Sequence, residues 1–133
     1  PFRELGVKET LFYFNKTRRR IAMKKKVFII INEQHSMMDS QLEVIRKAFP
    51  YLDIAYKHVP ATGWTLTDIR CICTHLIDET VVFVSPIPAM IKILMDVNGS
   101  DKTFVMHNDK REKKELPNGK VIMTVAKTGW QLV

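Results

Sequence analysis

Long apolar runs are missing from this chain. The longest, around Val27 to Ile31 and Ile87 to Met95, fall short of the roughly 18 to 20 residues that a membrane-spanning helix needs, and no membrane partner is expected. Cysteine is scarce: Cys71 and Cys73 stand one residue apart. They are too close for an ordinary disulfide and lack the CxxC spacing of zinc or redox sites. The expected setting is therefore reducing and cytoplasmic. Glycine is sparse as well, with five residues, and none builds a GxGxxG turn or a Walker lysine loop, so dehydrogenases and P-loop enzymes fit poorly. The first apolar run has no acidic cluster at its tip and the third ends in Ser85 instead of aspartate, so a response-regulator receiver fits poorly. His35, His58, His75 and His107 show no HxxxH or Cys/His ligand pattern, so no metal and no cofactor are expected.

What is present is enough for one folded domain. The chain has 133 residues, 46% hydrophobic and 26% charged, a balance that fits a single globular unit and neither a disordered tail nor a disulfide scaffold. Its formal charge of +7 is unevenly spread. Residues 1–26 hold nine basic residues and two acidic ones, which accounts for all of it, and residues 27–133 balance 12 against 12. A net-charge argument for nucleic acid thus belongs only to the N-terminal extension. Met23 followed by Lys24, Lys25 and Lys26 reads as a natural start. Residues 1–22 then form a basic extension, either an upstream or added segment or a real basic arm or amphipathic helix with Leu11, Phe12 and Phe14 on one patch. Residues 23–133 form the domain.

Within the domain, apolar runs rich in β-branched residues alternate with segments of helical period, the pattern of a parallel sheet with crossover helices. Val27 to Ile31 predicts a strand buried on both faces. Ser36 or Asp39 is expected to cap a helix through Phe49, stopped by Pro50. Leu52, Ile54 and Tyr56 alternate as a half-exposed strand. Thr65 or Thr67 opens a second helix through about Leu76, burying Leu66, Ile69, Ile72, Cys73 and Leu76. Val81 to Val84 predicts a third strand, and Pro86 and Pro88 suit the first turn of a helix ending at Asn98 and Gly99. Thr103 to Met106 is a fourth strand, and Pro117, Asn118 and Gly119 mark the turn of a final antiparallel hairpin. The fold class is α/β, a single Rossmann-like domain with a mostly parallel sheet.

Such sheets bind ligands beyond the carboxyl ends of their strands. The loops expected there offer Asn32, His35 and Ser36, then Trp64, then Ser85 and Pro86 before a helix N-terminus, then Asn108, Lys110 and Arg111. Hydroxyls, amides and fixed cations of this kind suit a phosphodiester. Each also has a structural use: Ser36 and Ser85 as helix caps, His35 and His107 as strand ends, Lys110 to Lys114 as a solvated face. Trp64 suits either stacking on a base or packing.

Two stretches carry a resemblance. Val27-Phe28-Ile29-Ile30-Ile31-Asn32, with His35-Ser36 and a helix containing Gln41, is similar to the opening of small stand-alone CRISPR-associated proteins related to CARF domains. Lys110-Arg111-Glu112-Lys113-Lys114-Glu115-Leu116-Pro117-Asn118-Gly119-Lys120-Val121 resembles the hairpin of the same proteins. The resemblance implies a homodimer that binds cyclic oligoadenylate, above all cyclic tetra-adenylate, the second messenger of type III CRISPR immunity. It also implies a ring nuclease that needs no metal: a ribose 2′-hydroxyl attacks the adjacent phosphate and leaves a cyclic phosphate end. On this chain it implies His35, Ser36, Lys110 and Arg111 as catalytic, with Lys110 or Arg111 stabilising the phosphorane and His35 taking a proton. Asn32, Trp64, Ser85, Pro86 and Asn108 would bind ligand. The chain differs at Ser85-Pro86-Ile87-Pro88, where family members often carry glycine, and its prolines remove two amide donors. The alternatives are a non-catalytic sensor or sponge for the same ligand, and an interaction protein that binds nucleic acid through its basic arm.

Overall fold

Seven consecutive residues from Lys26, five of them apolar, form β1 (Lys26–Asn32), and Val27, Ile29, Ile30 and Ile31 are all buried. Burial of successive residues requires cover on both faces, and both neighbours supply parallel pairing. Lys26–Asn32 runs beside β2 (Asp53–Val59), and Val27–Ile30 beside β3 (Thr80–Phe83). Val81–Phe83 in turn pairs with β4 (Thr103–Asn108). The computed structural model describes residues 25–133, so the extension over 1–22, with the choice between arm and added segment, lies outside the described residues.

Three helices connect these strands: α1 (Asp39–Ala48), α2 (Leu66–His75) and α3 (Pro88–Asn98). Beyond β4 come β5 (Arg111–Glu115), β6 (Val121–Val125) and β7 (Trp130–Leu132). The main sheet has the order β2-β1-β3-β4-β7, parallel except for β7, which runs antiparallel to β4. β5 and β6 make a separate two-stranded hairpin. The protein is therefore mixed α/β with a mostly parallel five-stranded sheet. Among the described residues, no helix is long and apolar enough to cross a membrane.

Alternation along the strands divides the core into two layers. Ile30, Val81 and Phe83 pack with Ile69, Cys73 and Leu76 of the α2 region and with Met90 and Leu94 of α3. Val27, Ile29, Ile31, Val82 and Met106 pack with Ile45 of α1, and Phe49 closes that layer edge-to-face on Phe104 at 5.3 Å. The helix ends follow local chemistry. Thr65 caps α2, its Oγ1 accepting from the Asp68 N–H at 3.1 Å while Asp68 accepts from the Thr65 N–H at 3.0 Å, a reciprocal box. Pro88 opens α3 and Gly99 ends it at φ 83°, a backbone that a side chain would strain.

Three expectations need correction. Ser36 does not cap α1, nor does Asp39. The N-cap is Met38, which has no side-chain cap bond, and its own backbone N–H donates to the buried Gln41 Oε1 at 3.0 Å, so the turn is closed from the N3 side and not by a hydroxyl. Leu66 is 48% exposed and does not join the core. Pro86 precedes α3 instead of joining its first turn.

The same packing separates the two thiols. Cys71 is exposed, whereas Cys73 is buried and its burial raises the thiol pKa above the ordinary value. A raised folded-state value leaves stability unaffected below the unfolded thiol's pKa and lowers it as pH climbs beyond that point. Near about pH 8, one thiol of the native protein should react rapidly with an alkylating reagent and the second only on unfolding. Two rapid equivalents would mean that α2 is not packed on the sheet.

Candidate functional site

The chain leaves β1 in one direction to reach β2 and returns on the other side to reach β3, so the strand order reverses between β1 and β3. Loops diverge there and open a crevice at the carboxyl ends. Asn32 and Ser85 sit at this point and touch: the Asn32 N–H donates to Ser85 Oγ at 2.9 Å. The Ser85 N–H in turn donates to the Ile30 carbonyl at 3.0 Å. Ser85 thus ties the two strand tips together, and the bond from Asn32 leaves the hydroxyl hydrogen itself unspent. The Asn32 side chain turns the chain by accepting from the Gln34 N–H at 2.9 Å.

The other expected residues divide into two groups. His35 donates its backbone N–H to the Asn32 carbonyl at 2.9 Å, and the His35 and Ser36 side chains stand exposed on the β1–α1 loop. Pro86 is exposed beside Ser85. Trp64 is half-buried against the layer under α2 and α3, which is the packing role. Asn108, Lys110 and Arg111 form a second cluster at the tip of β4. Asn108 is 4% exposed. Its amide donates to the Ala126 carbonyl at 3.0 Å and the Thr128 carbonyl at 2.9 Å, and its oxygen accepts from the Lys110 N–H at 2.9 Å. With both amide hydrogens used, Asn108 organises the hairpin base and is poorly placed to bind ligand directly. Arg111 folds its Nη1 back to the carbonyls of Asn108 and Lys110, at 2.6 and 3.0 Å, while Lys110 and Arg111 remain exposed.

Gly129 lets these pieces close together. At φ 91° it lies so near the strand tip that a Cβ would stand 2.8 Å from Lys110 Cδ and 3.2 Å from Asn108 Oδ1. On the α1 side of the same rim, Met37, Met38, Asp39, Ser40, Lys127 and Thr128 line a groove of about 470 Å³. Ser40 donates its hydroxyl to the Lys127 carbonyl and pins the β6–β7 connection to the start of α1. A depression of about 570 Å³ lies between the end of α1 and the start of β2, lined by Arg46, Phe49 and Tyr56 among others. It is at the amino end of β2, away from the rim.

One pair escaped the sequence reading. His107 Nε2 lies 2.6 Å from Asp109 Oδ1 at the end of β4. The only sequence signal was a His-x-Asp spacing at the end of a strand, and residues two apart in an extended segment lie on one side of it. Among the described residues there is no group of three His, Cys, Asp or Glu side chains placed to hold a metal ion. Comparison with protein-family models, with curated proteins and with solved structures finds no match to the chain. The functional reading rests on the rim itself.

Proposed function

We propose that this chain is a Rossmann-like, CARF-type domain that binds a cyclic oligoadenylate, cyclic tetra-adenylate foremost, and opens the ring by attack of a ribose 2′-hydroxyl on the neighbouring phosphate, which would end type III CRISPR signalling. The observation that carries the reading is the β1–β3 reversal, where Ser85 and Asn32 join the two strand tips. The exposed cations Lys110 and Arg111 follow the next strand. Phosphate oxygens are met by hydroxyl and amide donors at such a crevice, and charge that develops on the phosphorane is met by fixed cations. Arg111 is pre-oriented by its bonds to the hairpin carbonyls, which lowers the entropy lost on gripping a phosphate. Cleavage of this type is positioning plus charge stabilisation, with the nucleophile supplied by the substrate.

A multiply anionic ring needs more cations than one electrically balanced domain offers, and a homodimer would bring two copies of Lys110 and Arg111 to it. Val121, Met123 and Val125 alternate along β6 and are exposed, an apolar strip available to the second copy. Binding without cleavage is the second reading, favoured by Pro86 and Pro88 beside Ser85, which remove two amide donors that could meet the phosphorane.

Labelled cyclic tetra-adenylate incubated with the protein in excess EDTA, and resolved by chromatography, separates these outcomes. Linear product with a cyclic phosphate end is expected, and the Lys110→Ala, Arg111→Ala double variant should be slower by about 10²-fold or more. Intact ligand that co-elutes with the protein would leave binding alone. Intact ligand that does not co-elute would sink the assignment for this substrate.

A further inference from the structure

The α2/α3 side of the sheet carries a line of polar residues at its rim. Phe28 and Ile30 on β1, Val81 and Phe83 on β3, and Val105 on β4 all pack into the layer under α2 and α3. Ile30 is paired with Phe83, and Phe83 with Val105. Two residues further along each chain segment stand Asn32, Ser85 and His107. Since side chains of a strand alternate with period 2, Asn32 and His107 emerge on that same face at the carboxyl end. Ser85 joins them through its bond with the Asn32 N–H. The apolar core row Ile30-Phe83-Val105 is therefore succeeded at the rim by Asn32, Ser85 and His107.

Between His35 and His107, only His107 has a carboxylate partner in the structure: Asp109 Oδ1 lies 2.6 Å from its Nε2. Asp109 is acceptor-only when ionised, so a neutral His107 must place its proton on Nε2 and leave Nδ1 as a bare acceptor. The ring is thus fixed in orientation and tautomer without being sealed off. The His107 side chain is 52% exposed and that of Asp109 77%, so a substrate can reach it, and Lys110 and Arg111 follow directly. His35 has its backbone N–H tied to Asn32 and its side chain exposed on the loop.

We propose that His107, held by Asp109, is the general base of the rim, in place of His35. The assignment rests on the ring-opening function proposed above. In the step it serves, the ribose 2′-O–H bond breaks and the proton passes to His107 Nδ1. The 2′-oxygen bonds to phosphorus, the bond from phosphorus to the 5′-oxygen breaks, and that oxygen takes a proton from water. The products are a 2′,3′-cyclic phosphate and a free 5′-hydroxyl, and the hydroxide left by that water takes the proton back from His107, so the protein ends the step unchanged. Asp109 is a positioning residue, acting through the imidazole.

The test measures cleavage and binding of cyclic tetra-adenylate in His107→Ala, His107→Gln, His35→Ala, Asp109→Asn and Asp109→Glu. Both His107 variants should cleave about 10²- to 10⁴-fold more slowly while still binding the ring, and added imidazole should restore part of the rate to His107→Ala but none to Lys110→Ala. Asp109→Asn should slow cleavage, and Asp109→Glu should recover much of the loss. His35→Ala should lose far less of the rate than His107→Ala does, and imidazole should not change it. Undiminished cleavage by His107→Ala, or loss confined to His35→Ala, overturns the base assignment and leaves the ring-nuclease reading standing. A parent protein that does not cleave the ring overturns both.

Discussion

Replacing Asn108 by alanine is expected to destabilise the fold by about 2–4 kcal/mol, since each of three amide hydrogen bonds contributes about 0.5–1.5 kcal/mol and the abandoned partners lie in or near the interior. The Asn108 carboxamide is the junction of three chain segments: its own strand β4, the start of the hairpin at Lys110, and the β6–β7 connection at Ala126 and Thr128. Ala126, one of those partners, is itself buried. Aspartate keeps the shape and the acceptor but loses both donors, and it places a carboxylate against two carbonyl oxygens, so Asn108→Asp should be at least as damaging near neutral pH. Urea unfolding checks the claim through a lower midpoint with an unchanged slope. A midpoint equal to that of the parent would show that the hairpin base is held by something other than this amide.

A second large loss is expected at the centre of the sheet. Phe83 lies on β3, the middle strand of five, is fully buried, and contributes to the layer that holds α2 and α3. Truncation to alanine removes the transfer free energy of the ring and leaves a cavity that the flanking strands cannot collapse into, at a cost of about 3–5 kcal/mol. Against the roughly 5–15 kcal/mol by which domains are stable, that is a large share of the total. Phe83→Leu keeps most of the volume and should cost much less. Thermal melts of the pair give the comparison directly. A Phe83→Ala protein as stable as Phe83→Leu would contradict the placing of β3 between β1 and β4.

The two variants probe different kinds of information. Phe83 belongs to an unbroken apolar run, Val81 to Val84, and such a run in a chain of this length has few uses other than a strand covered on both faces. β1 is legible for the same reason, as are a threonine cap for α2, left between Thr65 and Thr67, the Pro88 start and Gly99 end of α3, and the Pro117-Asn118-Gly119 turn of the hairpin. Each is set by neighbours within a few residues. β7 was not legible. Three residues, Trp130 to Leu132, carry no period of their own, and they form a strand only because the edge of β4 offers Met106 to Asn108 as partners.

The site divides along the same line. That Asn32, Ser85 and the segment after Asn108 would gather at the carboxyl ends follows from the alternation of strands and helices. The part each plays does not. Asn108 differs from any surface asparagine only in meeting Ala126 and Thr128 from 18 and 20 residues away, and Trp64 packs inward because α2 and α3 cover that side.

The sequence alone determined the order of elements from β1 to β6 and the depth of the central strands, because local period and side-chain volume act over short distances. Only the tertiary structure decided which polar residues are spent on the protein itself and which remain for a ligand, because a hydrogen bond across 53 residues, as between Asn32 and Ser85, has no signature in either neighbourhood until the strands are paired.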